Sequence, residues 1–328
     1  MSATFGERLR VTVFGQSHSE AMGAVVDGLP AGLRIDTEHL RAFLARRAPG
    51  QGPLTTARRE PDAPEIVAGL ADGVTCGAPL CILIRNTDAR SRDYETLRRV
   101  VRPSHADYPA YVRFGGHNDI RGGGQFSGRL TAPLCAAGAV ALQCLAARGV
   151  GVYAHIASIA GVADAAVDPV SPDLPALAAL AAKPLPVLDA RAGEPLYDSV
   201  ESRLAALLFA VPAVKGVEFG AGFAAAALRG SENNDGYTAS GGEVRTLSNH
   251  SGGICGGLTT GMPVVFRAAF KPTPSIARPQ RTVALPGPEE TTLTVGGRHD
   301  PCVVPRAVPV VEAAAALTMY DLLLCAAL

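Results

Sequence analysis

Arg121-Gly-Gly-Gly-Gln-Phe-Ser-Gly-Arg129, followed by the uncharged run 130–147, joins a triple-glycine turn to a long apolar segment. Ser127 is positioned to cap a helix from about Gly128 to Arg148, and Gly149 stops it. The run barely reaches membrane-spanning length. It is alanine-rich and contains Thr131 and Gln143, so its pattern predicts a buried helix in a water-soluble core. Upstream, Leu9, Val11 and Val13 alternate with polar residues and predict a half-buried strand that delivers His18 to a loop. Ala24–Val26 resumes an extended run, and Asp27–Gly32 is a turn cluster. Asp36 caps a helix to about Arg47 with Leu40, Phe43 and Leu44 as its apolar face. Leu80–Ile84 predicts a buried strand.

Further on, 150–159 predicts a strand, and Ser171-Pro172 opens a helix to about Ala182. Asp198-Ser-Val-Glu201 predicts a capping box and a helix to about Phe209. Strands are expected at 214–219, 223–228 and 264–270, with a closing helix over 305–327. Residues 229–262 are rich in Gly, Ser, Asn and Thr, too long a stretch for an idle connector. No linker or repeat interrupts the chain. The expectation is one α+β domain over 1–328 with large functional loops.

Hydrophobic residues make up 48% of the 328 residues and charged residues 18%, which excludes disorder. Lys plus Arg and Asp plus Glu are 30 each, so no global field draws nucleic acid. Arginine is nonetheless concentrated at 46, 47, 58 and 59, and again at 85, 90, 92, 98, 99 and 102. That pattern suits a small polyanion; a solvated basic face is the plainer alternative. The seven cysteines form no CxxC pair and most sit among apolar residues, as buried thiols do in a reducing cytosol. The first residues lack the charged-then-apolar order of a signal peptide.

Four polar-and-glycine islands carry the chemistry: Phe14-Gly-Gln-Ser-His18-Ser, Arg102-Pro-Ser-His105-Ala-Asp107, the 121–129 turn and Gly297-Arg-His-Asp300-Pro. Reactive side chains spread over distant loops usually assemble into one site. The glycine run can offer N–H groups to an anion, or simply make a tight turn. Arg121 and Arg129 beside it favour the anion. Asp107 can orient the His105 imidazole. Arg298 can bind an anion while Asp300 exchanges a proton, or the two can form a salt bridge. Lys271-Pro-Thr-Pro-Ser275 sets a cation and two hydroxyls at a strand end. His117, His155 and His250 lack such company and read as structural. No HxH or HxxxH spacing supports a metal.

In their order these islands resemble the chorismate synthase family. The resemblance also runs through Arg46-Arg-Ala-Pro-Gly-Gln, Thr55-Thr-Ala-Arg-Arg-Glu-Pro-Asp62, Asn86-Thr-Asp-Ala-Arg-Ser-Arg-Asp-Tyr94, Gly252-Gly-Ile-Cys-Gly-Gly-Leu and Phe270-Lys-Pro-Thr-Pro-Ser-Ile. Only about 160–213 lacks its motifs. The resemblance implies a β-α-β sandwich and a homotetramer. It also implies conversion of 5-enolpyruvylshikimate 3-phosphate to chorismate and phosphate by anti 1,4-elimination, requiring reduced FMN without net redox change. By similarity, His18 assists departure of phosphate, His105 meets the flavin's anionic edge, and Asp300 acts with the flavin in removing the C6 hydrogen. Arg46, Arg47, Arg102 and Arg129 match substrate-region arginines. Gln125, Phe126, Ser127, Asn233, Gly256, Lys271, Pro272, Thr273, Pro274, Ser275 and Arg298 match flavin-binding segments. NADPH enters only as a reductant of the flavin, and no dinucleotide fingerprint is present.

The chain departs from the family pattern in places. Arg-Ser-Ser-Ala-Arg-Glu-Thr is here Gln125-Phe-Ser-Gly-Arg-Leu-Thr131, so Gln125 and Phe126 replace a cation and a hydroxyl, and Leu130 replaces a carboxylate. Pro53 stands where many members have another arginine, and Gln16 and Ser19 replace Glu and Gly. The competing readings are a silent flavin-binding paralogue and a metal-dependent hydrolase.

Overall fold

Five strands whose side chains alternate between two faces form the first layer. They are β1 (Thr4–Phe5), β2 (Arg10–Phe14), β3 (Ala21–Asp27), β4 (Pro64–Ala68) and β5 (Leu80–Arg85), paired antiparallel in the order β1-β2-β3-β5-β4. The computed structural model describes residues 3–50, 55–56, 60–87, 96–163, 192–240, 242–296 and 299–326. Register places Val11 opposite Val26, which faces Leu80; Ala24 faces Ile82, and Met22 faces Ile84. All seven are buried, so one face of the sheet is the core face. A slip of one residue would turn this row to water, at about 1.5–3 kcal/mol for each large side chain.

Helices cover that face. α1 (Thr37–Arg47) starts where expected: Asp36 Oδ1 accepts the amides of Glu38 at 2.9 Å and His39 at 3.0 Å. Leu40, Phe43 and Leu44 are buried on it, and so is Arg47. α2 (Asp107–Phe114) is short and ends at left-handed Gly115. α3 (Thr131–Ala146) follows a single turn capped by Ser127, whose Oγ accepts the Arg129 amide at 3.3 Å. α3 lies on the sheet and against α1. α4 (Val200–Ala210) and α5 (Val304–Ala326) complete the helical layer. α4 in turn packs on β6 (Val214–Phe219), which pairs antiparallel with β7 (Phe266–Phe270). The layering is therefore sheet, helices, sheet, an α+β architecture. The hairpin of β8 (Gln280–Ala284) and β9 (Glu289–Leu293) stands apart and bridges to Val100.

The segments Gly128–Ala146 and Val304–Ala326 are long and apolar enough to cross a membrane, yet each is 72% buried within the protein. They meet each other at a point with no spare room. A Cβ on Gly138 of α3 would stand 2.3 Å from Ala313 Cβ and 2.5 Å from Ala313 Cα on α5. A second tie joins sequence ends. The Asp321 carboxylate on α5, fully buried, accepts the amides of Glu7 at 3.0 Å, Arg8 at 2.8 Å and Leu9 at 2.7 Å, and pairs with Arg203.

Three expectations change. The segment 150–159 is extended only at Ser158–Ile159, paired with Val162–Ala163. Val150 instead turns its amide back to Leu145, and Val150 and Val152 pack individually on the core. The segment 223–228 forms a 3-10 turn over Gly222–Ala227, because an alanine run has no β-branched side chains to hold a strand. The cap of α4 is Ser199 rather than Asp198; its Oγ accepts the Ser202 amide at 3.1 Å. The helix expected from Ser171 lies outside the described residues. Residues 229–262 hold a one-turn helix (Gly230–Asn233) and hairpins at 237–246 and 254–259.

Gly138→Ala should lower stability by about 1–3 kcal/mol, the usual cost of overpacking a filled core, and Gly138→Val by more. Thermal melts of the purified variants measure this; an unchanged midpoint for both would mean the α3–α5 contact is looser than described.

Candidate active site

β2 ends at Phe14, and the chain turns through Gln16–Ser19 before β3 begins. Ser19 closes that turn: its Oγ accepts the Gln16 amide at 2.9 Å and donates to Ala21 O at 2.7 Å. His18, at the turn's tip, is buried. The triple glycine lies against it. Gly122, Gly123 and Gly124 take φ of 60°, 87° and 54°, conformations that side-chain-bearing residues rarely adopt. A Cβ on Gly122 would stand 2.4 Å from His18 Nδ1 and from Ser17 Oγ, and one on Gly123 would stand 3.1 Å from His105 Nε2. Consecutive Cα atoms are about 3.8 Å apart, so the two imidazoles, 87 positions apart in sequence, flank adjacent glycines. The Ser17 amide donates to Gly124 O at 3.1 Å and fixes the two loops together. The run thus presents glycine surface to two histidines, and one of its carbonyls is used as an acceptor.

His105 is oriented by a buried carboxylate. Asp107 Oδ1 lies 2.6 Å from His105 Nδ1 and 2.7 Å from Arg102 Nη2, while Oδ2 accepts from Arg102 Nε at 2.8 Å and the Arg102 amide at 3.0 Å. The short contact to a carboxylate assigns the proton to Nδ1. Nε2 is left to face Gly123. Burial pushes the Asp107 carboxyl up, but the bonds from Arg102 and His105 outweigh it and hold it well below the ordinary carboxylate range.

A third cluster lies beneath the His18 turn. Asp62, fully enclosed, pairs through one oxygen with Arg47 and through the other with Arg129. Arg47 Nε also donates to Thr131 Oγ1 at 3.0 Å, and Arg129 Nε lies 3.1 Å from Glu60 Oε2. Burial opposes ionisation of Asp62, yet the two guanidiniums prevail and hold it low. The cluster extends in both directions. Arg129 Nε donates to Asn86 Oδ1 at 3.1 Å, and the Asn86 amide group reaches the His18 turn. On the other side, Arg306 Nε donates to Arg47 O at 2.9 Å and Nη1 to Asp300 Oδ2 at 2.7 Å. Asp300 Oδ1 accepts the Thr56 amide at 2.8 Å. Burial and the neighbouring Arg47 lower Arg306 to about 10, which leaves it cationic at neutral pH. The His18 turn and Asp300 therefore stand at two ends of one continuous polar network.

Of the remaining expected site residues, Lys271 is tied to the His105 loop through its Nζ and Ser104 O. Pro272, Thr273, Pro274 and Ser275 follow it, so this segment adjoins the His105 loop. Phe126 stacks on Phe114 of α2, with ring centroids 6.4 Å apart, and Gln125 is exposed. Asn233 Oδ1 is buried and has no partner among the described residues. Gly256 turns a hairpin with open space where a side chain would be. Arg298 lies outside the described residues. Arg46 stands apart: its guanidinium clasps Glu312 at 2.6 and 2.9 Å, because successive helix positions diverge by about 100°. Arg121 is likewise committed, to Asp119 at 2.8 and 2.9 Å. Among the described residues, no three His, Cys, Asp or Glu side chains gather as a metal site.

Asp62, Asn86 and Arg306 were not singled out by sequence reasoning. The signal for Asp62 was its place with Glu60 in a carboxylate pair just after Arg58-Arg59; Asn86 and Arg306 gave none of their own.

A buried and a half-buried imidazole, enclosed arginines and a paired aspartate, all delivered by separate loops, define an enzyme that handles anions and protons. A family model described as chorismate synthase matches residues 9–192 and 185–324. A chorismate synthase of Korarchaeum cryptofilum is 44% identical across 97% of this chain and 96% of its own length. One of Methanocella arvoryzae is 43% identical across 97% and 93%. A crystal structure of chorismate synthase superposes with a TM-score of 0.68 at 26% identity, covering 97% of this chain and 92% of that one. The chain belongs to the chorismate synthase family.

A carboxyl held below its unfolded value of about 3.9 contributes stability that is complete above that pH and lost as pH falls. Asp107→Asn should therefore lower the thermal midpoint at neutral pH and flatten its decline between about pH 4 and about pH 2. Melting curves across that range check the sign; an unchanged slope would dissociate Asp107 from acid unfolding.

Proposed function

We propose that this chain converts 5-enolpyruvylshikimate 3-phosphate to chorismate and inorganic phosphate by anti 1,4-elimination, with reduced FMN bound beside the substrate. The observations that support this reading are that His18 and His105 flank the 122–124 glycines and that Asp300 is linked through Arg306 to Arg47 of the Arg47–Asp62–Arg129 cluster.

The C3–O bond breaks toward phosphate and the C6–H bond gives up its proton, leaving a second ring double bond. His18 is suited to donate a proton to the departing phosphate, whose second pKa of about 6 lies near histidine's of about 6.5. Ser17 Oγ and Arg129 Nη2 are buried and have no hydrogen-bond partner among the described residues. Both can donate to oxygens of a triply acidic substrate, while Arg47, committed to Asp62, Thr131 and Gly128 O, holds Arg129 in place through Asp62. Asp300 receives the C6 proton. Its oxygens each accept one hydrogen bond already, from Thr56 and Arg306, and each has a further lone pair.

The residues fit a flavin: Asn233 offers a buried acceptor without a partner among the described residues, and Gly256 leaves its backbone open to close approach. Phe126, Ser127, Asn233, Gly256, Lys271–Ser275 and Arg298 would hold it, with His105 Nε2 at its anionic edge. When bound, reduced FMN supplies an electron-rich ring that stabilises positive character as phosphate leaves. NADPH would serve only to reduce it. A homotetramer follows from the family resemblance, and exposed Leu196, Tyr197, Phe209, Phe223 and Tyr237 offer apolar surface for such contacts. Seven free cysteines support a cytoplasmic setting.

Purified protein with dithionite-reduced FMN should release phosphate from 5-enolpyruvylshikimate 3-phosphate anaerobically, and EDTA should not change the rate. His18→Ala and His105→Ala should each lose about 10²–10⁴-fold in kcat with melting midpoints close to wild type. No phosphate release by the wild type, or full rates in both variants, would overturn the reading.

A further inference from the structure

Asn86 immediately follows β5, and the register that sets Arg85 opposite Ala21 brings it beside Glu20 at the end of the His18 turn. Its backbone amide donates to Glu20 O at 3.1 Å. All three polar positions of its side chain are used. Nδ2 donates one hydrogen to Ser19 O at 2.8 Å and the other to Gln16 O at 3.2 Å. Oδ1 accepts from Arg129 Nε at 3.1 Å. Chemistry fixes the orientation: the reverse would set an oxygen against two carbonyls and an NH₂ group against a guanidinium. One short side chain thus grips both shoulders of the turn that carries His18 and holds the arginine beneath it.

From this geometry we infer that Asn86 is a positioning residue for His18. It sets the imidazole relative to Arg129, so that the proton donor and the anion clamp meet the same phosphate. This rests on the elimination proposed above. Arg129 retains Asp62 and Glu60 as partners without Asn86. The turn retains the Ser19 hydroxyl and the Ser17–Gly124 bond. Loss of Asn86 should therefore leave both parts formed and only their alignment relaxed. Misplacement by about 1 Å can cost on the order of 10²-fold in rate.

Two substitutions separate the possibilities. Asn86→Ala removes every side-chain bond. Asn86→Asp keeps an acceptor for Arg129 but sets a carboxylate against the carbonyls of Gln16 and Ser19. If Asn86 acts through His18, both should lower kcat by roughly 10–100-fold, with KM changed less than kcat and a melting midpoint within about 4 °C of wild type. In a His18→Ala background, Asn86→Ala should then add less than about a twofold loss, because the group it positions is gone. Fully additive losses would overturn the proposal. So would an Asn86→Asp variant as active as wild type, which would show that only the Arg129 contact matters.

A readout independent of turnover completes the test. Diethylpyrocarbonate modification of His18, followed by peptide mass spectrometry, should be several-fold faster in Asn86→Ala than in wild type. An unchanged rate sinks the positioning role. An inactive wild type with faster labelling in the variant would sink the proposed reaction and leave the anchoring of the turn standing.

Discussion

A single enclosed carboxylate organises the site. Asp62 lies between Arg47 at the end of α1 and Arg129 at the start of α3, and neither guanidinium could be buried there alone. Burying a charge costs several kcal/mol unless partners and further hydrogen bonds compensate it. Here Thr131, Gly128 O, Glu60 and Asn86 supply those bonds. The result is a rigid set of cations whose positions are fixed before any ligand arrives. That is the condition under which electrostatic catalysis avoids reorganisation at the moment of reaction.

Backbone geometry supplies the second half of the design. The glycines at 122–124 are required because each has positive φ and because side chains there would collide with His18, His105 and Asp119. The loop is a spacer of fixed thickness between two imidazoles. The sequence allows either a cradle of N–H groups for an anion or a tight turn; the structure shows positive φ and close approach as the two demands for glycine. The replacements at Gln125 and Phe126 fall just outside this spacer, where Gln125 is exposed and Phe126 rests on Phe114. They leave the His18–glycine–His105 geometry intact.

Much of the scaffold was legible because it obeys local rules. Alternation at Val11, Val13 and Leu80–Ile84, and the Asp36 cap, predicted elements to within a residue or two. Failures came where tertiary partners decide: 150–157 has hydrophobic valines but no strand partner among the described residues, and 223–228 lacks β-branched residues. The motif residues His18, His105, Asp107 and Asp300 were visible as reactive types in loops. Arg46 and Arg47 looked equivalent in sequence, yet half-exposed Arg46 reaches in to buried Glu312 while Arg47 is itself buried against Asp62. Asn86 and Arg306 were silent, since a bridging side chain has no signature apart from the groups it bridges.

The Asp321 anchor has a consequence for biosynthesis. Its carboxylate receives the amide of Glu7 across 314 positions of sequence. A ribosome delivers the chain from the amino end, so the loop leading into β2 has no anchor until almost everything else has emerged. The leading sheet gains its helical cover when α3 emerges, and α5 then packs on α3, α1 and α4 rather than on the sheet. Locking of the loop before β2 therefore follows synthesis of the α5 segment that carries Asp321.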